Sequence, residues 1–450
     1  MHPNSTYAKL SQPLESSGCL RVSVIGAGYL GTTHAIGMAL LGHDVVAMDI
    51  EKEKIAQLSS CELPFFEPGL GELLRKCMEL GRIRFTTSYD DAAEADIHFV
   101  CVGTPQLPGS LNADLRWVET AFIELARRVC GPAIIVGKST VPTGTARRMA
   151  EIVRRHSADR RVGVAWNPEF LREGCAIEDT LRPNRLIFGV ESPHAEKLLR
   201  AVYQPIIERG CPVVVTDYAT AELAKVSANA FLAMKISFIN AMAQICEATG
   251  AAVLPLTETL GYDDRIGRRF LGPGLGFGGG CLPKDLRALC ACAADQGLDD
   301  VASLFRQVDA INLSRRHRAL ALGRELLGGT YAGKRVCVLG AAFKPNTDDI
   351  RDSPALAVGV AAYREEAYVV IHDPVAMNSA KRVHPELEYA ETIVEASRDS
   401  DLIMLLTEWT EFIDMDPALL STAVRSRNIF DGRNALTAER WHSAGWNYRA

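Results

Sequence analysis

Leu20-Arg-Val-Ser-Val-Ile25 is a short apolar-rich run, and Gly26-Ala-Gly28-Tyr29-Leu30-Gly31 follows it at once. A helical pattern then runs from about Thr32 to Leu41, Gly42 punctuates it, and Val45-Val-Ala-Met48 reads as a second strand ending in Asp49. Glycines at this spacing are common on their own. Set between a strand and a helix, with an acid about 20 residues on, they form the specific version of a dinucleotide-binding turn. Gly26 permits the tight turn, Gly28 lets a pyrophosphate reach the backbone, and Gly31 packs helix on strand. The N-terminus of the helix that follows would supply oriented N–H groups to the phosphates. Asp49 suits the ribose hydroxyls and repels a 2′-phosphate, which favours NAD over NADP.

The same alternation continues outward. Ile97-His-Phe-Val-Cys-Val102 leads into Gly103-Thr104-Pro105, Ala133-Ile-Ile-Val136 into Ser139-Thr140-Val141-Pro142, and Val162-Gly-Val-Ala165 into Asn167-Pro168-Glu169. Small or polar residues at strand ends mark the ligand crevice of an open α/β sheet. If Pro168 begins a helix, Glu169 and Glu173 share one face of it. Pro212-Val-Val-Val215 closes this domain. From Thr220 to Thr249 there is neither Pro nor Gly, and apolar residues recur at helical spacing. Thr220 is the expected N-cap, Glu222 complements the dipole, and Gly250 stops the helix. Roughly 30 residues span about 45 Å, a length suited to a linker or dimer element. Lys225 and Asn229 share a face of this helix, with Asn240 roughly on the same side.

Helical patterns continue to about Leu327, and then Arg335-Val-Cys-Val-Leu-Gly340-Ala341 echoes Arg21-Val-Ser-Val-Ile-Gly26-Ala27. This second copy has Ala342 and Pro345 where the first has Gly28 and Gly31, and it offers Lys344 instead. It reads as a repeated domain tuned for another nucleotide. The expected fold is α/β, with two Rossmann-like doubly wound domains joined by a long central helix and an all-helical dimerisation region. The boundaries are a disordered tail over 1–18, a first Rossmann domain over 19–216, the helical region over 217–328 and a second Rossmann-like domain over 329–450.

The bulk properties exclude several classes. The chain has 450 residues, 48% hydrophobic and 23% charged, with a net charge of −6. Those values suit an ordinary globular protein and give no footprint for a nucleic-acid partner. No stretch approaches the ~20 apolar residues that span a bilayer, so no membrane association is expected. The polar first residues lack the apolar centre of a signal peptide, which points to the cytoplasm and to reduced thiols for the 12 cysteines. Neither a C-x-x-C pair nor a His cluster appears, so no metal site is expected.

The chemistry concentrates in Arg265-Ile-Gly-Arg-Arg-Phe-Leu-Gly-Pro-Gly-Leu-Gly-Phe277-Gly278-Gly-Gly-Cys281-Leu-Pro-Lys284-Asp285. So many glycines let a backbone pass close to a bulky ligand, and they end on one cysteine followed by a cation and an acid. Lys225, an ammonium amid Ala, Leu and Val, is costly unless paired. Phe343-Lys344-Pro-Asn-Thr-Asp-Asp-Ile-Arg351 and Asp431-Gly-Arg433-Asn434 each stand at a strand end or loop.

Together these motifs resemble the nucleotide-sugar dehydrogenases over nearly the whole chain. The resemblance is carried by Gly26–Gly31, Phe65-Phe-Glu-Pro-Gly-Leu70, Val102-Gly-Thr-Pro105, Ser139-Thr-Val-Pro142, Asn167-Pro-Glu-Phe-Leu-Arg-Glu-Gly174, Ala221-Glu-Leu-Ala-Lys225 and Asn229-Ala-Phe-Leu-Ala233, together with the Cys281 loop and Phe343–Arg351. Asn229-Ala-Phe-Leu232 is similar to the UDP-glucose branch, since the GDP-mannose branch has a histidine near position 232. The resemblance implies that Cys281 captures an aldehyde, that Lys225 and Asn229 steady an oxyanion, and that Asp285 is a base or orients water. It implies that Glu169 serves thioester hydrolysis, with Thr140 helping to hold the water. It places NAD at Gly26, Gly28, Tyr29, Leu30, Gly31, Asp49, Lys54, Thr104, Thr140, Glu173, Lys284 and Arg351. It places a sugar nucleotide at Glu169, Phe170, Leu171, Glu173, Lys225, Asn229, Phe277, Gly278, Cys281, Phe343, Lys344 and Arg433, with Arg265 reaching in across a homodimer interface. The activity implied is four-electron oxidation of UDP-glucose to UDP-glucuronate through a thiohemiacetal and a thioester. Another UDP-hexose, such as an N-acetylhexosamine, and a non-catalytic sugar-nucleotide sensor are the alternatives.

Overall fold

The computed structural model describes residues 18–450. The tail expected over 1–18 lies, apart from Gly18, outside the described residues. The chain folds as two compact units that divide between Ser227 and Ala228.

In the first unit, β1 (Arg21–Ile25), β2 (Asp44–Met48), β3 (Ile83–Thr86), β4 (Ile97–Val100), β5 (Ile134–Gly137), β6 (Gly163–Trp166), β7 (Leu186–Val190) and β8 (Val213–Thr216) form one sheet. Their order is β3-β2-β1-β4-β5-β6-β7-β8, parallel throughout except between β6 and β7. The near-continuous apolar character of these strands follows from burial on both faces. Val22, Val24, Ile97, Phe99, Ile134 and Val136 enter one core, whereas Ile25, Val100 and Ile135 enter the other. The strand order reverses between β1 and β4, so a ligand crevice opens beyond their carboxyl ends. The short β3 and the antiparallel β7 are additions to what the sequence pattern predicts.

In the second unit, β9 (Arg335–Leu339), β10 (Tyr368–His372), β11 (Glu388–Tyr389), β12 (Leu402–Leu405), β13 (Asn428–Asp431) and β14 (Asn447–Arg449) form a parallel sheet ordered β11-β10-β9-β12-β13-β14. It is the same doubly wound order, so the expected repeat is a repeat of topology. The repeat extends to two acids. Gly26 N–H donates to Met48 O, and Ala27 N–H to the Asp49 carboxylate at 2.8 Å. Gly340 N–H donates to His372 O, and Ala341 N–H to the Asp373 carboxylate at 2.8 Å. After that the copies diverge. In the first, the helix Tyr29–Leu40 starts at once, but in the second the helix waits until Pro354–Arg364, capped by Ser353. The sequence equation of Pro345 with Gly31 therefore fails, because residues 341–353 form an inserted loop. Helices Leu282–Asp295 and Asp299–Leu326 pack against each other through Leu286, Val308, Cys290 and Ala302.

One helix, Tyr218–Thr249, runs through the division between the units. Its start differs from expectation. Asp217 is the capping side chain, accepting from Thr220 N–H at 2.9 Å and from the Thr220 hydroxyl at 2.7 Å. Glu222 is buried and accepts from Gly144 and Ala146 N–H, so it serves another helix's N-terminus rather than its own. The expectation that no stretch approaches bilayer length also needs correction here. The most apolar 18-residue window of this helix has mean hydropathy 1.3, with 44% of it buried. Core positions such as Ala221, Val226, Ala230, Ala233 and Ile239 supply part of that apolar character, and exposed residues such as Leu223 and Phe231 supply the rest.

Candidate active site

At the turn after β1, Gly26 has φ +94°, where glycine is favoured, and a Cβ on Gly31 would lie 1.7 Å from Gly26 O. A Cβ on Gly28 would meet nothing within 4 Å, which leaves the open space that a pyrophosphate needs beside the helix N-terminus. The Asp49 carboxylate is buried and is also held by Lys54 Nζ at 3.0 Å and Glu51 N–H at 3.1 Å. These residues fit a dinucleotide. Tyr29 donates to Glu67, whose carboxylate also accepts from Gly174 N–H at 2.6 Å and Ala176 N–H at 2.8 Å. Burial first, then Glu67, pushes the Tyr29 phenol far above its usual range, with Glu173 adding to the shift. Thr104 donates its hydroxyl to Thr140 O at 2.8 Å, which joins the two loops beyond β4 and β5.

Pro168 does not open a helix. Residues 167–172 are irregular, and the next helix is Ala176–Leu181. The Glu169 carboxylate accepts from Leu171 N–H at 2.7 Å, a local turn that competes with helix formation. Its other oxygen pairs with Lys225 Nζ at 3.1 Å, both side chains being largely buried. Lys225 therefore has the partner that its apolar setting demanded. The Phe170 ring lies beneath Arg185, 3.7 Å from the guanidinium, with the Lys225 ammonium 5.4 Å from its centre.

In the second unit, Cys281 is exposed and is the residue immediately before Leu282–Asp295. Orphan N–H groups at a helix start favour negative charge. Cys175 also precedes a helix, Ala176–Leu181, but its first turn carries the acids Glu178 and Asp179 with no lysine such as Lys284 beside them. Burial pushes Cys101 and Cys337 up to about 12, which keeps both as thiols. Asp285, 1% exposed, accepts from Asn229 Nδ2 at 2.6 Å and pairs with Lys284 Nζ at 2.8 Å.

The glycines ahead of Cys281 are required by close approach. A Cβ on Gly278 would stand 2.4 Å from Asp352 O, on Gly279 2.7 Å from the Phe343 ring, and on Gly280 2.3 Å from the Arg351 guanidinium. Side chains then hold the loop's backbone. Asn312, which gave no sequence signal, accepts from Phe277 N–H at 2.8 Å and donates to Phe277 O at 3.0 Å. Asn240 accepts from Gly274 N–H at 2.8 Å, and Arg315 donates to Gly274 O at 3.0 Å. Arg433 donates to Gly276 O at 3.1 Å, Phe343 O at 3.2 Å and Leu406 O at 2.7 Å. Lys344 lies over the Phe343 ring, and Arg351 pairs with Asp349. Arg265 stands apart from this cluster, exposed and paired with Asp263.

Comparison with known proteins gives the chain's relatives. Models of the UDP-glucose/GDP-mannose dehydrogenase family match in order: its NAD binding domain over residues 20–207, its central domain over 219–314 and its UDP binding domain over 337–438. A UDP-glucose 6-dehydrogenase of Rhizobium meliloti is 40% identical over 435 residues, covering 95% of this chain and 98% of the relative. The solved UDP-glucose dehydrogenase of Pyrobaculum islandicum superposes with a TM-score of 0.89 at 35% identity, covering 98% of this chain and 99% of that one. The UDP-D-ManNAc dehydrogenase of Pyrococcus horikoshii superposes with a TM-score of 0.84 at 27% identity, covering 96% and 98%. The chain belongs to the UDP-glucose/GDP-mannose dehydrogenase family, an NAD-dependent enzyme that takes a UDP-sugar.

Proposed function

We propose that this protein is a UDP-glucose 6-dehydrogenase, oxidising the sugar's primary alcohol to a carboxylate with two NAD+ and one water consumed and two NADH and protons released. The observation that carries the reading is an exposed thiol at a helix start, one turn before a buried acid held by Asn229 and Lys284. Likeness favours glucose, at 35% identity to the superposed UDP-glucose enzyme against 27% to the superposed UDP-D-ManNAc enzyme. NAD, held at Gly26–Gly31 with Asp49 toward its ribose, supplies the hydride acceptor for both oxidations. Cys281 Sγ adds to the aldehyde carbon left by the first oxidation, and the carbonyl oxygen takes a proton to give a thiohemiacetal. Loss of that proton and of hydride from the carbon leaves a thioester. Water adds to the thioester carbon, and the Sγ–C bond breaks to return the thiol and release the acid. Lys225 and Asn229 steady the negative oxygen in these steps. Glu169 or Asp285 takes the proton of the attacking water, and Thr140 helps to hold that water.

The same reading assigns 19–216 to NAD, 217–328 to dimerisation and 329–450 to the UDP group. Glu173 and Phe277 face the sugar end, Lys344 and Arg433 the nucleotide end, and Arg265 serves the neighbouring copy's site. Phe231, Phe238 and Ile245 recur at heptad spacing on the long helix and are 58%, 48% and 54% exposed, an apolar stripe suited to a second copy. A reactive thiol with an NAD supply suits a reducing cytoplasm.

A panel of UDP-sugars, followed by NADH absorbance and product mass, tests the reading. We expect two NADH per UDP-glucose, UDP-glucuronate as product and no free aldehyde. One NADH with aldehyde released overturns the double oxidation, turnover confined to an N-acetylhexosamine overturns the sugar, and binding without any NADH favours a sensor.

A further inference from the structure

Lys138 stands just beyond β5 and has no part in the chemistry above. It is 7% exposed, and among the described residues no carboxylate lies within ion-pairing distance of it. Its ammonium donates to Asn167 Oδ1 at 3.0 Å and to the Tyr203 hydroxyl oxygen at 3.3 Å. Tyr203 donates to the same Asn167 oxygen at 2.7 Å, and Asn167 Nδ2 donates to Ile187 O at 2.9 Å. Asn167 N–H is itself tied to Gly137 O at 2.8 Å, so the residue is fixed on every side. The rings of Phe99 and Tyr203 flank the ammonium, each 5.8 Å from it. A small cavity of about 50 Å³ lies against Lys138, Asn167, Glu169, Phe170 and Tyr203. Burying a cation with no counter-ion is costly, and an apolar side chain of similar length would fill the site more cheaply.

We propose that Lys138 is a positioning residue: its ammonium clamps Asn167, and through it the Pro168–Glu169 turn, so that Glu169 meets Lys225 in one orientation. This rests on the reading of Glu169 and Lys225 as members of the reacting site. Burial pushes the ammonium down to about 8 against the pull of Cys101 and Glu169, and Lys225 adds to the lowering. His34, also beside it, is held neutral by burial and then by Lys138 itself. Burial likewise keeps Cys101 a thiol and raises Tyr203 well above its usual range. Lys138 thus changes charge in mildly alkaline solution, and the clamp weakens as it does.

The test compares Lys138→Met, Lys138→Arg and Glu169→Gln in the full chain, measuring kcat, both KM values and the pH dependence of kcat. A misplaced turn in Lys138→Met should lower kcat about a hundredfold, with both KM values within roughly threefold. Lys138→Arg should keep kcat within about threefold and move the alkaline limb up by about a pH unit or more, because a guanidinium does not titrate there. If Lys138→Met does not fold, the arginine variant's alkaline limb decides. A Lys138→Met enzyme with near-normal kcat, or a Lys138→Arg enzyme with an unmoved limb, overturns the clamp. Normal turnover in Glu169→Gln instead overturns the reading of the reacting site on which the clamp depends.

Discussion

The side-chain amide of Asn229 donates to the Asp285 carboxylate at 2.6 Å across 56 residues of sequence. Lys284 Nζ stands 2.8 Å from the acid's other oxygen as an ion pair, although that buried oxygen has no hydrogen-bond geometry with any donor among the described residues. Asp285→Ala would leave that amide and ammonium without their partner, which should cost about 1–3 kcal/mol. Thermal unfolding of the unit Ala228–Ala450 should register a drop of several degrees, roughly 2–4 °C per kcal/mol for a unit of that size. Asp285→Asn should keep most of the stability yet lose turnover. Wild-type melting in both variants would show that the pair holds nothing.

Cys281→Ser should lower steady-state NADH production by roughly a thousandfold or more, since serine is a far weaker nucleophile and the covalent step is lost. The thiol is exposed and outside the cores, so folding should be unaffected. Near-normal turnover with the serine variant would exclude covalent capture at this residue.

Asp49 anchors the first turn through Ala27 N–H and Lys54. Burial tends to lower the Lys54 pKa, but its bonds to Asp49 and Glu51 outweigh this and raise it. Asp49→Ala should weaken NAD about tenfold or more while leaving UDP-glucose affinity nearly intact. Calorimetric titration with each ligand separates the two. A loss confined to the sugar nucleotide would reverse the assignment of the domains.

Glu222 gives a pH signature of stability. Burial pushes its carboxyl up to about 7, partly offset by the Ala146 and Gly144 N–H groups. A glutamate in an unfolded chain titrates near 4.3, so between about 4.3 and 7 the folded state holds more protons than the unfolded one. The contribution of Glu222 is therefore fully present at low pH, falls as pH rises through that interval and is lost above it. Glu222→Gln should flatten the profile between about pH 5 and about pH 7.5 in denaturant titrations. Parallel profiles for the two proteins would contradict this.

The legible parts of the sequence were those where one short segment carries its own signal. Gly26, Gly28 and Gly31 announce the turn because their constraints lie within a few residues of one another, and the long helix announces itself by lacking Pro and Gly. Tertiary partners stayed hidden. Glu169 and Glu173 read as a helical pair, but Glu169 bends back onto Leu171 N–H and makes a turn. Thr220 looked like a cap, although Asp217 has the carboxylate in reach. Asn312 sits within a helix, and nothing local says that its amide brackets Phe277. Nothing local marks Lys138 either, because its partners Asn167 and Tyr203 stand at the ends of another strand and another helix. The Gly340 repeat was legible only as far as its strand, because the loop of 341–353 carries no periodicity.

The loop that presents Cys281 depends on residues made long after it. Arg433 lies 157 residues beyond Gly276, and Asn434, which donates to Pro273 O, lies 161 residues beyond it. At ribosomal speeds of about 5–20 residues per second, that gap is roughly ten to thirty seconds. During translation the nucleotide turn at Gly26 can close early, because its glycines, Met48 and Asp49 emerge almost together. The cysteine loop can be bracketed early by Asn240, Asn312 and Arg315, but its bonds to Arg433 and Asn434 wait for the end of the chain. The last backbone ties of the thiol's loop can therefore form only after nearly the whole chain has been made, whereas the ties of the Gly26 turn to Met48 and Asp49 are available almost from the start.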